Sequence, residues 1–550
     1  MSAGITLVWI GDGEPPPWSV GPTVRAEERP SALAETIERE LPRSQAEAWL
    51  FWDGNLGEPD PVRVQEALSR PGDLWHAGLR LGLSGLPRGI DYVEPTWMLN
   101  RDPDSSIEAT SWRVSMRACL VRMDVLRRLG GPRPEFRTLD AAGLEFGHRC
   151  IGAGALMRHV GWLAGESAKA EPPEIPLEDE LRFLHQRFGK RWTRWSVLRM
   201  ASSAPWRAPA LLAALGRVVR EKRPPAPPPL RAGVGVPGAR RAPGSVTVLI
   251  PTVDRYPYLE KLLGQLRAQT VRPLEIVIVD QTREDRRRAD LASRFPDLPI
   301  RVFTLDRAGQ CSSRNVGIEA SRGDFLLFLD DDDEVPPDLI EKHLAALEAL
   351  GSEVSCGVAE EDGAGPLPEA FLRTRASDVF PTNNSMIRKR ILASSGLFDL
   401  AYDRGARADA DLGMRLYLAG NLMVLNADIR VLHRHAPSGG LRTHRARVIT
   451  YASSRSHLLH RHLPGTTEMY LAKRYFSARQ VREALWHSAL GTFSLRGSRL
   501  RRVAKAGLAM ILLPHSVWAA SRRGRAAEAM LRQFPQIPPY AQSGRAARAM

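Results

Sequence analysis

The sequence predicts an α/β protein of two domains, and three observations carry that reading. From Ser245 onward, short apolar runs alternate with amphipathic stretches, the pattern of a largely parallel sheet with crossover helices. One of those runs, Phe325-Leu-Leu-Phe-Leu329, ends abruptly in Asp330-Asp-Asp-Asp333, so a buried strand delivers four carboxylates at its C-terminal end, where open α/β sheets bind ligands. A Pro/Gly-dense segment, residues 221–244, separates this region from residues 1–220 and reads as an extended linker.

The chain's 550 residues suffice for two or three domains. Hydrophobic residues at 43% and charged ones at 25% suit a globular chain with a buried core and exclude a disordered or fibrous one. The net charge of +15 calls for anionic partners such as nucleotides or phospholipid headgroups. No nucleic-acid-binding motif accompanies it, so no nucleic-acid partner is expected. Cys119, Cys150, Cys311 and Cys356 are widely spaced and form no CxxC pair. That argues against a zinc site or a disulfide framework and for a reducing cytoplasm. The opening Met1-Ser-Ala-Gly-Ile-Thr-Leu-Val-Trp-Ile10 has no basic segment before its apolar run and reads as a first strand, not a signal peptide.

Taken in order, residues 1–220 are expected to form one globular domain with strands near Ile5–Ile10 and Ala48–Trp52. In residues 245–475, Val246–Ile250 is expected as a strand, Tyr258–Gln269 as an amphipathic helix and Leu274–Asp280 as a strand. Arg286–Phe295 is expected as a helix, Ile300–Leu305 as a strand and Cys311–Ala320 as a helix before the strand Phe325–Leu329. Phe398–Gly420 reads as mainly helical and Leu422–Leu432 as a returning strand. Residues 476–550 form a basic helical region. No Asp or Glu stands between Glu483 and Glu528, while Arg496, Arg499, Arg501, Arg502, Lys505, Arg522, Arg523 and Arg525 flank the apolar stretch Ala506–Ala520. That stretch contains Pro514 and His515 and is too short to span a bilayer comfortably. It suits either a peripheral contact with an anionic membrane surface or a solvated tail packed on the preceding domain.

Four adjacent carboxylates repel one another, so a cation is expected among them. On an extended chain Asp330 and Asp332 share one face and Asp331 and Asp333 the other; a carboxylate pair on one face suits Mg²⁺ or Mn²⁺, with phosphates and water completing the shell. The same residues also read as a helix start, with Asp333 or Glu334 near the N-cap and Pro336 and Pro337 in the first turn.

Five motifs in order settle the direction. They are Val246-Thr-Val-Leu-Ile-Pro-Thr-Val-Asp-Arg255, Glu275-Ile-Val-Ile-Val-Asp-Gln-Thr282 and Gly309-Gln-Cys-Ser-Ser-Arg-Asn-Val-Gly317, then Gly323-Asp-Phe-Leu-Leu-Phe-Leu-Asp-Asp-Asp-Asp333 and Ala408-Asp-Ala-Asp-Leu-Gly-Met-Arg-Leu-Tyr-Leu-Ala-Gly420. Over about residues 245–450 the chain resembles the family-2 glycosyltransferases, inverting enzymes of the Rossmann-like GT-A fold. The resemblance implies a metal-dependent transfer of a sugar from a nucleotide-diphosphate donor to a glycan or lipid-linked acceptor, in cell-surface polysaccharide or glycan synthesis. It implies donor contacts at Thr252, Asp254, Asp280, Arg314, Asp330 and Asp331, and Mg²⁺ or Mn²⁺ held by Asp330 and Asp332 with His433, or His435 as second choice. Alignment on Leu412 and Arg415 puts the general base at Asp409; the Glu expected before it is Ala408, and Asp411 is expected to be structural. The implied location is cytoplasmic, with peripheral contact at the inner face of the membrane.

Other readings differ in testable ways. Asp331-Asp-Asp-Glu-Val335 also satisfies the Asp-x-Asp-x-Val pattern of haloacid-dehalogenase-type phosphatases, but that family places its nucleophile strand first, and this one is about fourth. A non-catalytic nucleotide- or carbohydrate-binding protein is favoured only by Ala408. The first domain echoes the second. Trp49-Leu-Phe-Trp-Asp-Gly-Asn55 overlays the acid-run strand, with Asp53 near Asp330 and Asn55 near Asp332. Leu144–Gly154 overlays Ala410–Gly420 and places Gly143 at the base position. Residues 1–220 are therefore expected to be a degenerate, non-catalytic glycosyltransferase-like domain.

Overall fold

The computed structural model describes residues 4–93, 97–165, 172–231, 240–363, 365–443, 463–493 and 498–541. The chain divides into two compact units. One is Met1–Gly233 with Arg373–Ala376 and Tyr417–Leu422, and the other is Val234–Leu372 with Ser377–Leu416 and Met423–Met550. Residues 232–239 of the expected linker lie outside the described residues.

The first unit is built on six strands: β1 (Ile5–Ile10), β2 (Thr23–Ala26), β3 (Ala48–Asp53), β4 (Leu74–His76), β5 (Ala118–Arg122) and β6 (Met157–His159). Their order in the sheet is β2-β1-β3-β5-β4-β6. β1 runs parallel to β2 and β3, β5 antiparallel to β3 and β4, and β6 parallel to β4. β3 is a continuous apolar run because both of its faces are covered. Trp49 and Phe51 enter one core with Leu126 and Phe146, while Leu50 and Trp52 enter the opposite core with Val64 and Trp75. Each such buried side chain contributes about 1.5–3 kcal/mol of transfer free energy.

The second unit holds β7 (Val246–Thr252), β8 (Glu275–Asp280), β9 (Ile300–Thr304), β10 (Phe325–Phe328), β11 (Asp333–Glu334) and β12 (Val354–Glu361). The strands β13 (Arg375–Ala376), β14 (Ser385–Arg388) and β15 (Met423–His433) follow. The main path through the sheet is β11-β15-β12-β14-β10-β7-β8-β9, with β13 off it. β10, β7, β8 and β9 are mutually parallel, as the sequence pattern demands. Helix Gln310–Ala320 packs on β7 and β8. Its approach needs Gly317, since a Cβ there would stand 2.1 Å from Leu249 Cδ1.

The two sheets share one topology. Replacing β1, β2, β3, β4, β5 and β6 by β7, β8, β10, β12, β14 and β15 turns the first sheet's order into β8-β7-β10-β14-β12-β15, the contiguous centre of the second. Every parallel and antiparallel relation is preserved, and the strands occur in the same order along the chain. The helices overlaid from sequence, Leu139–Gly152 and Ala408–Leu418, precede the matched strands β6 and β15.

Four local expectations are corrected. Arg286–Phe295 is not a helix: a short 3₁₀ turn, Glu284–Arg286, is followed by turns. The segment buries only Leu291, and its arginines leave in different directions, Arg287 to the Thr282 carbonyl and Arg294 to Glu260. Between Phe398 and Gly420 the regular helix is confined to Ala408–Leu418, because Asp399 accepts the Ala401 N–H and starts a separate turn, and Arg407 then takes φ +86°. Asp333 and Glu334 pair antiparallel with His433 and Leu432 instead of opening a helix, which begins at Leu339 after Asp338. Finally, the acid run is not extended. It turns at Asp331-Asp332, with the Asp330 N–H donating to Asp333 Oδ2 at 2.8 Å, so strict face alternation does not apply.

Helices Thr466–Tyr475, Ala478–Leu490, Arg499–Ile511 and Leu513–Gln533 close the described chain. The first packs on the last. Among the described residues no single helix is long and apolar enough to cross a membrane; the last two are bent by 62° at their junction.

Candidate functional site

β7, β8 and β10 end at one edge of the second sheet, where Thr252 is the register partner of Asp280. Thr252 Oγ1 donates to Asp331 Oδ2 at 2.8 Å, tying the end of β7 to the turn after β10. Arg255 is folded back over that turn. Its Nη1 stands 3.1 Å from both Asp331 Oδ1 and Asp332 Oδ1, and its Nη2 donates to the Ala436 carbonyl. Arg314, on helix Gln310–Ala320, donates from Nη2 to Asp330 Oδ1 at 2.9 Å and to Thr382 Oγ1 at 3.1 Å. His433, the last residue of β15, places Nδ1 2.9 Å from Asp333 Oδ1. The mutual repulsion of the four carboxylates is thus met by three side-chain cations of the protein itself.

Burial sets the proton affinities. It raises the Asp331 carboxyl to about 7, with Arg255 opposing and Asp332 adding to the rise. For the Asp333–His433 pair, burial favours the neutral form of each, and the contact between them favours the charged forms. The direction that prevails is a raised His433, to about 9. Burial, which alone would lower it, is outweighed by the hydrogen bond to Asp333 and the nearby charges of Asp330 and Asp332.

These residues fit a divalent cation. One ligand atom from each of Asp330, Asp332 and His433 lies within 4.8 Å of the others. Asp332 Oδ1 is buried and accepts no hydrogen bond among the described residues, while its Oδ2 accepts the Ala436 N–H at 2.8 Å. His435 sits in the left-handed region at φ +50°, with its ring edge-on to His433 at 4.5 Å, and it pairs with Glu361.

Of the residues expected from sequence, Thr252, Arg314, Asp330, Asp331, Asp332 and His433 line one pocket together. Asp254 and Asp280 lie at the same sheet edge but not in its lining. Asp254 takes φ +55° and pairs with Arg286 at 2.9 Å. Asp280 is 2% exposed and accepts from Tyr256 Oη at 2.6 Å and from the Thr282 N–H at 2.9 Å. Asp409 is partly exposed in the first turn of helix Ala408–Leu418 and also lies outside that lining. Asp411 is fully buried, bound to Arg415 Nη2 at 2.8 Å and Tyr475 Oη at 2.8 Å.

Sequence reasoning missed Arg255, Gln281 and Gln310, which line the same pocket. Arg255 carried a signal, a cation directly after the first motif's Asp254. Asp403 carried none. It accepts the N–H groups of Cys311 and Ser312, both at 2.8 Å, and so caps helix Gln310–Ala320 from a distant loop.

The matched edge of the first sheet holds different chemistry. Asp53 ends β3, where its Oδ1 accepts the Asn55 N–H at 2.9 Å. Arg117 sits between Asp53 and Asp140, at 3.8 and 3.3 Å. At Gly143, the position overlaid on Asp409, a Cβ would meet the Val114 carbonyl oxygen at 2.6 Å, so no carboxylate fits there.

Comparison with known proteins narrows the reading. Residues 247–401 match the family model described as glycosyl transferase family 2. The uncharacterized glycosyltransferase YwdF of Bacillus subtilis is 35% identical over 104 residues, 19% of this chain and 38% of that protein. The succinoglycan biosynthesis protein ExoO of Rhizobium meliloti is 31% identical over 111 residues, 20% of this chain and 32% of that protein. The chain therefore spans about a third of these relatives' length. The structure of S. aureus TarS 1–349 in complex with UDP-GlcNAc aligns with a TM-score of 0.34 at 18% identity, over 52% of this chain and 92% of that one. β10 is the fourth strand of its unit, not the first as a haloacid-dehalogenase-type phosphatase requires. Residues 247–401, which hold the parallel strands β7, β8, β9 and β10 of the second unit, are similar to glycosyl transferase family 2.

Proposed function

We propose that the protein transfers a sugar from a nucleotide-diphosphate donor to an acceptor hydroxyl with inversion at the anomeric carbon. The observation that carries this is the cluster of Asp330, Asp331 and Asp332 with Arg255, Arg314 and His433 at one sheet edge, all but His433 inside the family-matched segment. A diphosphate needs cations held in a fixed array, and guanidinium groups fork onto its oxygens. Asp330, Asp332 and His433, whose ring must give up its proton to ligate, would hold Mg²⁺ or Mn²⁺, which when bound supplies Lewis-acid stabilisation of the departing diphosphate. Asp409 takes the proton of the acceptor hydroxyl. The acceptor oxygen then bonds to the anomeric carbon as the bond to the donor phosphate oxygen breaks, and the electron pair stays on the nucleoside diphosphate, facing Arg255 and Arg314. Thr252, Asp254 and Asp280 line the sheet edge on which base and ribose would rest.

The name of the ExoO relative, a succinoglycan biosynthesis protein, supports placing the product among polysaccharides. The first unit shares the topology but fills its corresponding edge with Arg117 and leaves no room at Gly143, which supports a non-catalytic role. The test is release of nucleoside diphosphate across a panel of nucleotide sugars, with Mn²⁺ and with chelator. Metal-dependent release that Asp332→Ala abolishes is expected. Metal-dependent donor binding without turnover over a broad acceptor panel would overturn the enzymatic reading.

A further inference from the structure

Helix Arg499–Ile511 is laid on the protein inside out. The residues it turns inward are Lys505, only 1% exposed, and Ala509. Outward it presents Leu500 at 81%, Val503 at 70%, Met510 at 61% and Ile511 at 76% exposure. These positions follow the three-and-four spacing of one helix face, so the outward surface is a continuous apolar stripe. Helix Leu513–Gln533, bent by 62° from it, exposes Val517 at 41% and Trp518 at 54%. An ordinary helix on a globular protein has the opposite arrangement, and the cost of leaving this much apolar surface in water implies an occupant.

The charges around the stripe identify that occupant. Arg499, Arg501 and Arg502 stand at its start, and Arg522 reaches back over the Trp518 ring at 5.7 Å. No carboxylate interrupts the sequence between Glu483 and Glu528. A protein partner would be expected to meet mixed charge. A rim of arginine without acid, around exposed Leu, Ile, Met and Trp, complements anionic headgroups over acyl chains. We infer that the outward face of the bent pair Arg499–Ile511 and Leu513–Gln533 docks in the plane of an anionic lipid bilayer, with Leu500, Val503, Met510, Ile511 and Trp518 entering the headgroup–acyl boundary. The inference does not depend on the transfer reaction. It requires only this surface, and it would hold if the catalytic reading failed.

The test is co-sedimentation of the full chain with vesicles of phosphatidylcholine alone and of equimolar phosphatidylcholine and phosphatidylglycerol. Binding is expected on the anionic vesicles only, weakening as salt rises. Arg501→Gln with Arg502→Gln should weaken it about fivefold per arginine. Met510→Glu with Ile511→Glu should abolish it. Both pairs are solvent-exposed, so an unchanged melting temperature and unchanged nucleotide-sugar affinity are expected alongside. Absence of binding to anionic vesicles would overturn the inference. So would a concentration-dependent dimer that Met510→Glu and Ile511→Glu dissolve, since a second copy would then be the occupant.

Discussion

Arg255 Nη1 lies 3.1 Å from Asp331 Oδ1, so the protein places its own cation where the acidic turn is most crowded. The same nitrogen is 3.1 Å from Asp332 Oδ1, one of the atoms that would bind a metal. Arg255 and a divalent cation therefore neutralise overlapping charge. Arg255→Gln should destabilise the metal-free protein, by up to about 3–5 kcal/mol, because two buried carboxylates lose a partner. Added Mn²⁺ should recover more stability in the variant than in the wild type. Thermal unfolding with Mn²⁺ and with chelator checks this; an equal loss in both conditions would show that Arg255 and the metal do not share the site.

Asp409 and Asp411 stand two residues apart on one helix and should respond oppositely. Asp411 is buried between Arg415 and Tyr475, so Asp411→Asn strands a guanidinium and should cost about 3–5 kcal/mol of stability. Asp409 is partly exposed, so Asp409→Asn should leave the melting temperature nearly unchanged while sugar transfer falls by about 10²–10⁴-fold. Parallel melting curves and transfer assays decide it. An active Asp409→Asn protein would remove the base assignment.

The first unit repeats the Asp411–Arg415 device. Glu145, with no exposed surface, holds Arg149 at 3.2 Å one helical turn on, and Arg133 and Arg187 stand 3.4 and 3.6 Å away. Glu145→Gln leaves three guanidinium groups around a neutral amide. It should destabilise the first unit by about 3–5 kcal/mol, read as an earlier unfolding step by calorimetry, with donor affinity in the second unit unchanged.

The repeat was legible in the sequence at two places, the strand ending in Asp53 and the helix bearing Glu145 and Arg149, because buried strands and buried ion pairs constrain residue type. The shared strand order was not legible, since β2, β4 and β6 are only three or four residues long and carry no periodicity to read. In the site, carboxylates announced themselves by their number. One counter-charge did not: Arg255 reaches Asp331 and Asp332 by folding back over the acidic turn, a tertiary contact that the first motif shows only as a cation after Asp254. The helix expected over Arg286–Phe295 failed because its polar spacing was compatible with a helix that had no apolar face to bury.

A buried histidine gives the second unit an acid-sensitive joint. His343 has no exposed surface; its Nδ1 lies 2.9 Å from Ser355 Oγ and its Nε2 2.9 Å from Asn384 Oδ1. Asn384 in turn donates to the carbonyls of Val358 and Ile429, so this one side chain joins helix Leu339–Ala349 to β12, β14 and β15. Burial lowers His343 to about 4, against the hydrogen bond to Asn384. The unfolded chain, with an ordinary histidine, binds the proton near pH 6.5, and the folded one does not until about pH 4. Between those values the unfolded state holds more protons, so stability falls as pH falls, and the histidine's contribution is fully present only above the unfolded value. The loss amounts to about 3 kcal/mol by the lower end of the window. His343→Gln should be less stable than the wild type at about pH 7.5, and that difference should shrink as pH drops through about 5. Urea unfolding midpoints of the two proteins across this range supply the check, and parallel curves would rule out His343 as the titrating group.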